Sequence, residues 1–144
     1  MTQITDCIFC RIVAGQIPAH RVDEDDVTVA FMDIGQINPG HVLVALKRHA
    51  PTILDLTPDE AAAAFRTAHR VARAVEHVFE PEGLTLLQAN REAGAQTVPH
   101  FHLHVVPRYA GDGVDIAWPV KNPPPEELAG YAARLREQSM TPED

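Results

Sequence analysis

The sequence predicts an α+β fold, with a mainly antiparallel five-stranded sheet, one long helix and a C-terminal helix. Five short segments are rich in β-branched, aromatic or alternating apolar residues, as strands are. One longer segment has apolar residues at helical spacing. The strands come in succession before and after that helix, which is typical of antiparallel sheets. With 144 residues, 45% of them hydrophobic, the chain is predicted to be a single domain over 1–144, less regular from about residue 108.

The first part of the chain is predicted as a helix followed by three strands. Residues 6–17 carry apolar side chains at helical spacing. Three β segments follow, at residues 21–24, 27–33 and 41–46. The last of these is nearly all apolar, so we expect it to be a central strand.

The long helix is predicted from a capping box. Thr57 is placed as the N-cap, Pro58 at the first helical position and Glu60 three residues after the cap. Apolar spacing continues the helix to about Phe79. Beyond it we expect a strand at 84–89, a loop at 90–99, a strand at 100–106 and a helix from about 124. Pro107 is expected to stop the second of these strands.

Charge and hydropathy limit the classes of partner. The formal net charge is −8, which argues against general nucleic-acid binding because that requires a basic face. No apolar run approaches the ~20 residues of a membrane span. The N-terminus lacks the basic start and apolar stretch of a signal peptide, so a cytoplasmic, reducing location is expected. There, Cys7 and Cys10 are expected to be metal ligands or reduced thiols rather than a disulfide.

Three histidines alternate with apolar residues in the segment HFHLHVV, residues 100–106. On a strand, His100, His102 and His104 would share one face, about 7 Å from one to the next. The apolar residues between them would share the other face. Imidazole is a nucleophile, a proton carrier and a metal ligand near neutral pH. The pattern therefore predicts a functional site and not merely a half-buried strand.

This segment resembles the signature of the histidine triad (HIT) family, His-φ-His-φ-His-φ-φ, where φ is apolar. Four other segments agree with the family in order and spacing: CIFC at 7–10, AFMDI at 30–34, PGHVLV at 39–44 and GAQTVP at 94–99. The resemblance covers about residues 6–107. It is closer to the Hint-type branch than to the longer galactose-1-phosphate uridylyltransferases, and it implies a HIT-like fold.

The resemblance also implies a catalytic set, made of His102, His104, His41 and His100. His102 would attack the α-phosphorus of a purine nucleoside phosphoramidate or an adenylylated compound and form a covalent nucleotidyl-histidine. Water would then release the nucleoside monophosphate, so that one difficult displacement becomes two easier ones. His41 and His104 would neutralise phosphate oxygens and the leaving group, and the carbonyl of His100 would hold the ring N–H of His102. No organic cofactor is implied.

The family's nucleotide-binding positions map onto eight residues. Asp33 matches the acid that binds ribose hydroxyls. Asn90 lies beside the phosphate loop, where Gln96 and Thr97 would donate hydrogen bonds to the phosphate; Thr97 keeps the hydroxyl where relatives often have serine. The positions around the base are Ile8, Phe9, Phe31 and Ile34. For these apolar residues, ordinary core packing is the alternative.

A structural zinc site is implied by some bacterial members that carry this N-terminal Cys-x-x-Cys. Its ligands here would be Cys7, Cys10, His49 and His100. A Cys₂His₂ set leaves no open coordination position, so such a site is structural rather than catalytic. If His100 is a ligand, only its backbone can serve the nucleophile. The alternative is a pair of reduced thiols that pack as small apolar groups.

Three other functions remain open. The protein could instead hydrolyse dinucleoside polyphosphates, as in the Fhit-like branch, with phosphate rather than an amine as leaving group; the Hint-like segments favour the amine. It could be a nucleotide-binding regulatory protein with little turnover, although binding alone does not require His102. It could also be a zinc-dependent enzyme that binds its metal through the histidine triad.

Hint-type relatives imply a homodimer whose sheet continues across the interface. In such a dimer Trp118 would approach the nucleotide site, and otherwise it is an isolated packed aromatic. His69 and His77 are predicted to lie on a solvated face of the long helix. His20 has no predicted partner.

Overall fold

The protein is described by a computed structural model that covers residues 6–139. Two compact units are present, Met1–Val114 and Asp115–Asp144, and the predicted C-terminal helix belongs to the second. The helices and strands in chain order are α1 Ile8–Val13, β1 Arg21–Glu24, β2 Thr28–Met32, β3 Val42–Leu46, α2 Pro58–Phe79, β4 Gly83–Gln88, β5 His102–Arg108 and α3 Pro125–Ser139. Short 3₁₀ turns lie at Ile53–Asp55 and Glu92–Gly94. Within the described residues, no helix is long and apolar enough to cross a membrane.

The five strands form one sheet in the order β1-β2-β3-β5-β4. Every pairing between neighbours is antiparallel. The predicted α+β fold with a five-stranded antiparallel sheet is therefore confirmed. Strand β5, which carries the histidines, lies between β3 and β4, with Ala45 opposite His102 and Leu43 opposite His104. This register places the end of β3 that follows His41 beside the histidine strand.

Both faces of the sheet are buried at its centre, because the central strands alternate their side chains between two apolar layers. On β3, Val42, Val44 and Leu46 pack toward α2, in a cluster that includes Phe101, Leu103 and Val105. Leu43 and Ala45 pack on the opposite face with Phe9 and Ile12 of α1 and with Val29 and Phe31 of β2. The burial of every residue of β3 confirms the central strand predicted from its apolar sequence.

The predicted capping box of α2 is present. The Thr57 hydroxyl accepts from the Glu60 N–H at 3.2 Å, and the Glu60 carboxylate accepts from the Thr57 N–H at 2.9 Å. The helix ends at Phe79, as predicted, and Glu80 caps it in the left-handed region with φ 47°. The capping interactions at both ends of this helix are local, so its boundaries could be predicted from the sequence.

Two boundary predictions were wrong. Helix α1 is shorter than residues 6–17, and it begins after Cys7. Strand β5 begins at His102 rather than residue 100, and it continues through Pro107 to Arg108. Pairing with β3 ends where Val42 lies opposite Val105, so Pro107 lies beyond β3, and its carbonyl accepts from Asn38 Nδ2 at 2.9 Å. A proline is tolerated where no neighbouring strand needs its N–H.

Candidate functional site

Strand pairing brings three of the predicted histidines together. His102 and His104 lie two residues apart on β5, and their ring centroids are 5.0 Å apart. His41 immediately precedes β3, and its Nε2 lies 2.9 Å from Nδ1 of His104. Gly40, with φ +105°, allows the sharp turn into this position. The result is a group of three adjacent imidazoles along one face of two paired strands.

The protonation of His102 is determined by a backbone carbonyl. Its Nδ1 lies 2.7 Å from the carbonyl oxygen of His100. A carbonyl can only accept, so Nδ1 carries the hydrogen and Nε2 of the neutral ring keeps its lone pair. Burial lowers the pKa of His102, against the opposing effects of this hydrogen bond and of Asp33. His102 therefore has a neutral ring with an unprotonated Nε2, which is the form that can act as a nucleophile.

A chain of hydrogen bonds sets the protons of the other two histidines. The Ile37 N–H donates to Nδ1 of His41 at 3.2 Å, so the hydrogen of the neutral His41 ring is on Nε2. That Nε2–H donates to Nδ1 of His104, which leaves the His104 hydrogen on its own Nε2. The Asp33 carboxylate lies 3.5 Å from His41 and 4.0 Å from His104.

Burial also keeps these rings neutral. It lowers the pKa of His41, although the Asp33 carboxylate opposes the effect. It lowers the pKa of His104 to about 4, with further contributions from the neighbouring His102 and His41. The site thus combines a nucleophilic nitrogen with N–H donors that suit the charge developing on a phosphate during transfer.

A cavity of about 400 Å³ opens beside these histidines. Eight predicted site residues line it: Ile8, Phe9, Phe31, Asp33, Ile34, Thr97, His102 and His104. Ile34 is 96% exposed at the rim, whereas Phe9 and Phe31 are buried and meet edge to face. The walls are therefore mostly apolar, with the polar groups provided by the histidines, Asp33 and Thr97. This combination suits a flat apolar ring attached to an anionic group.

Sequence reasoning did not place several of the residues that line the cavity: Ile12, Ile17, Pro18, Ala19, His20, Met32, Leu43 and Val98. His20 had no predicted partner, because it comes next to Met32 and Asp33 only when β1 pairs with β2. A separate groove of about 660 Å³ at the end of α2 is lined by His77, but not by His41, His102 or His104.

Two predicted phosphate-loop residues do not line the cavity. The Gln96 side chain donates from Nε2 to the Pro51 carbonyl at 2.6 Å and accepts the Arg91 N–H at 2.7 Å. Asn90 Oδ1 accepts the Ile53 N–H at 2.8 Å. Both side chains therefore hold the loop between β4 and β5 against the segment after β3. The hydroxyl-bearing Thr97 is the residue of this loop that reaches the cavity, together with Val98.

A second group of side chains lies behind the nucleophile. Ligand atoms of Cys7, Cys10, His49 and His100 all lie within 4.8 Å of one another. His100 Nδ1 is 3.3 Å from the Cys7 sulfur and 3.6 Å from the Cys10 sulfur, and His49 Nδ1 is 3.3 Å from the Cys10 sulfur. The residues come from the start of α1, the segment after β3 and the segment before β5.

These four residues fit a zinc ion. Two thiols and two imidazoles form a complete tetrahedral donor set. The His100 Nε2–H donates to the Leu46 carbonyl at 2.6 Å, so Nδ1 presents its lone pair to the sulfurs. Such an outer hydrogen bond typically orients a metal-binding histidine. Burial lowers the pKa of His100 to about 4, which also keeps the ring in the neutral form that a ligand requires.

Asp33, His41 and His104 form another compact acid–histidine group, but its hydrogen bonds argue against a metal there. A metal at His41 Nε2 would have to displace the hydrogen to Nδ1. That nitrogen already accepts the Ile37 N–H. The arrangement therefore supports a hydrogen-bonded histidine pair rather than the zinc-dependent triad considered from the sequence.

Comparison with known proteins gives the family to which the sequence motif pointed. A family model described as HIT domain matches residues 14–111. "Protein hit" of Bacillus subtilis is 43% identical over 114 residues, covering 78% of this chain and 79% of that protein. The adenosine 5'-monophosphoramidase hnt1 of Schizosaccharomyces pombe is 34% identical over 130 residues, covering 90% and 95%.

Solved structures agree in fold. A crystal structure of a HIT-family member from Bacillus subtilis has a TM-score of 0.90 at 36% identity and covers 95% of this chain and 99% of that chain. A zinc-bound histidine triad protein from Mycobacterium smegmatis has a TM-score of 0.73 at 34% identity and covers 92% and 96%. The three adjacent imidazoles, the antiparallel sheet that assembles them and these similarities show that the chain belongs to the HIT family.

Proposed function

We propose that this protein hydrolyses purine nucleoside phosphoramidates or adenylylated compounds at the α-phosphorus, through a covalent nucleotidyl-His102 intermediate. The observation that carries the proposal is the hydrogen bond from His102 Nδ1–H to the His100 carbonyl, 2.7 Å long. It leaves Nε2 of a buried, neutral ring unprotonated next to a cavity that Asp33 and Thr97 also line. The Schizosaccharomyces pombe relative is named an adenosine 5'-monophosphoramidase, which agrees with this choice of substrate.

In the first step, His102 Nε2 forms a bond to the α-phosphorus as the bond from phosphorus to the leaving group breaks. The leaving group takes up a proton from solvent water and departs. The ring then carries a positive charge, which the hydrogen bond from Nδ1–H to the His100 carbonyl stabilises. In the second step, water attacks the same phosphorus and gives up a proton to solvent, while the bond from phosphorus to Nε2 breaks. The nucleoside monophosphate departs and Nε2 regains its lone pair. Splitting the displacement in this way is the benefit of covalent catalysis.

His104 acts on the phosphate in this proposal, and His41 orients the His104 ring from behind. The His41 Nε2–H is directed at His104 Nδ1, so His104 offers its own Nε2–H. Donors held in place before the reaction stabilise the charge that develops on the transferred phosphoryl group. Asp33 binds the ribose hydroxyls, and the apolar walls around Phe9 and Phe31 hold the base.

We also propose that Cys7, Cys10, His49 and His100 bind a structural zinc ion. The Mycobacterium smegmatis neighbour is described as zinc-bound, and the donor set here suits that metal. Zinc would join the start of α1 to the segments on either side of the histidine strand. It supplies no step of the reaction, because a four-ligand site has no open position for substrate.

A homodimer is a further proposal. Strand β4 is at the edge of the sheet and pairs only with β5 among the described strands. Its Leu84, Leu86 and Leu87 are 36–42% exposed. An unpaired edge with exposed apolar residues suits pairing with a second copy, which would continue the sheet.

The proposed reaction is tested with an adenosine phosphoramidate. The wild-type protein should release AMP and yield a trapped nucleotidyl adduct, whereas His102→Ala should do neither. A diadenosine polyphosphate tested in parallel distinguishes the alternative leaving group, and faster cleavage of that substrate would favour the Fhit-like alternative. Turnover by His102→Ala equal to wild type would overturn the nucleophile, and tight AMP binding without turnover would favour the regulatory alternative.

A further inference from the structure

One exposed side chain closes the loop that carries Asp33 and His41. Gln36 Nε2 donates to the carbonyl of Asp33 and to the carbonyl of His41, the latter at 2.7 Å. Gln36 Oε1 accepts the Gly40 N–H at 2.9 Å and the His41 N–H at 3.1 Å. A primary amide has two donor hydrogens and an oxygen with two lone pairs. All of this capacity is used inside one loop.

These bonds join the two ends of the loop. At one end is Asp33, whose carboxylate lines the cavity and lies 3.5 Å from His41 Nε2. At the other end is His41, whose backbone carbonyl also accepts the Asp33 N–H at 3.1 Å. Gln36 bonds to the backbone of both residues, so the amide limits how far the two side chains can move apart.

The loop also determines which nitrogen of His41 is protonated. Ile37, the residue after Gln36, donates its N–H to His41 Nδ1 at 3.2 Å. If the loop opens, this donor leaves, and the preference for hydrogen on Nε2 is lost. His104 would then lose the donor that holds its Nδ1 at 2.9 Å.

We propose that Gln36 is a positioning residue, which holds Asp33 at the cavity and keeps the Nε2–H of His41 directed at His104. It does not line the cavity and so does not contact substrate. Its effect on turnover rests on the proposed function, whereas its effect on the His41 ring does not. Gln36 is exposed and belongs to neither apolar cluster, so its bonds serve the loop and not the core.

The test replaces Gln36 with methionine, which keeps the length of the side chain and removes its hydrogen bonds. Gln16→Met is the matched control, because Gln16 is also an exposed loop residue. Three quantities are compared with wild type: the ¹⁵N and ¹H NMR signals of the His41 ring, kcat and KM for an adenosine phosphoramidate, and Tm. NMR at the ring nitrogens distinguishes the two neutral forms of a histidine directly.

In Gln36→Met, we expect the His41 signals to move from the Nε2–H form to a mixture of both forms. We expect kcat/KM to fall by roughly 10- to 100-fold, because a displacement of about 1 Å at a reacting group has effects of that size. KM should rise because Asp33, the proposed ribose ligand, is displaced. The value of kcat should fall because the His41 N–H no longer points at His104. Tm should stay close to that of wild type, and Gln16→Met should match wild type in all three measurements.

Unchanged His41 signals in folded Gln36→Met would overturn the proposal. A fall in kcat/KM no larger than the fraction of unfolded variant protein would overturn it as well. If Gln36→Met does not fold, Gln36→Glu takes its place. This variant keeps an acceptor oxygen for the Gly40 and His41 N–H groups but sets a second carboxylate oxygen against the carbonyls of Asp33 and His41. Unchanged His41 signals in Gln36→Glu would be equally decisive. If the wild type releases no AMP, the proposed function fails, and the NMR signals still determine whether Gln36 positions His41.

Discussion

The carbonyl oxygen of His100 accepts the Nδ1–H of His102 at 2.7 Å, while the imidazole of His100 lies 3.3 Å from the sulfur of Cys7. One residue therefore contacts both the proposed nucleophile and the cysteine pair. Its ring is held on its other side by the Leu46 carbonyl. This relationship explains why the three histidines of the motif, alike in sequence, have different roles in the structure.

The first prediction concerns the metal. His49→Ala removes one ligand of the proposed zinc site without changing His102 or its carbonyl partner. We expect zinc content to fall well below one per chain, because the donor set loses one of its four protein ligands and zinc affinity falls with it. Tm should fall by roughly 5 °C or more, as expected for a loss of 1–2 kcal/mol. Metal analysis and calorimetry measure both effects.

Turnover should persist in folded His49→Ala, because zinc takes no part in the proposed reaction. His69→Ala is the matched control: His69 is exposed on α2, and its loss should change neither zinc content nor Tm. A folded, zinc-free variant with no turnover would contradict a purely structural role for the metal.

The second prediction concerns pH. The reaction needs neutral imidazoles, and burial lowers the pKa of His104 from 6.5 to about 4. A histidine with a lowered pKa keeps its neutral form as the pH falls, until the lowered value is reached. The kcat/KM of the free enzyme should therefore stay level below pH 6.5 and decline only toward pH 4. A pH profile between 3.5 and 8, roughly the range of imidazole titration, measures this.

The variant Asp33→Asn tests the direction in which the Asp33 carboxylate shifts the pKa values of the histidines. The Asp33 carboxylate raises the pKa of His41 and His104 through its charge, so its removal should move the acid limb to still lower pH. KM should rise as well, because Asp33 is the proposed ribose ligand. An acid limb near 6.5 in the wild type, or an upward shift in Asp33→Asn, would conflict with these electrostatics.

The third prediction concerns Gly40, which directs the chain into His41. An added Cβ would lie 2.8 Å from the ring of Phe79, and the backbone has φ +105°. Gly40→Ala should therefore destabilise the protein by about 2–4 kcal/mol, from steric overlap and backbone strain together. Denaturant unfolding gives the change in free energy.

Gly15→Ala separates the two causes. Gly15 has φ +75°, but nothing lies within 4 Å of an added Cβ. Its substitution should cost only about 1 kcal/mol, from backbone strain alone. Equal losses in the two variants would show that the contact with Phe79 is unimportant.

The fourth prediction concerns assembly. The wild-type chain of 15.8 kDa should run at twice that mass in light scattering if β4 pairs with a second copy. Leu86→Glu places a charge on the exposed face of β4 and should shift the protein to monomer, because burying an unpaired carboxylate at an interface is costly. Leu54→Glu is the control, since Leu54 is 72% exposed on the 3₁₀ turn after β3. A monomeric wild type at micromolar concentration refutes the dimer.

Some features of this protein follow from short stretches of sequence. The start of α2 depends on Thr57 and Glu60, whose capping interactions are local, and Glu80 caps the other end; both ends were predicted correctly. The apolar run of β3 predicted a central strand, and that prediction is confirmed. Capping and side-chain periodicity act over a few residues, so they can be recognised without knowledge of the rest of the chain.

Predicting the site residues required the family resemblance, and the roles of these residues depend on long-range contacts. The alternation of histidines identified the motif, but periodicity alone treated His100 as equivalent to His102 and His104. In the structure β5 begins only at His102, and Cys7, which lies 93 residues before His100 in sequence, contacts the His100 ring. The Gln96 and Asn90 side chains likewise turned out to hold the loop between β4 and β5, away from the cavity.

Local sequence thus accounts for where the long helix and the central strand lie, and for the presence of a histidine motif. The family resemblance implied the His100 carbonyl as partner of the His102 ring, but the protonation of His41 and His104 required the folded chain, because it depends on single partners such as the Ile37 N–H. A hydrogen bond of about 3 Å is lost over an ångström of displacement, so no pattern of residue types can specify it. Strand register and the loop closed by Gln36 supply that precision, and they turn three similar histidines into a nucleophile, a phosphate donor and a metal ligand in the proposed mechanism.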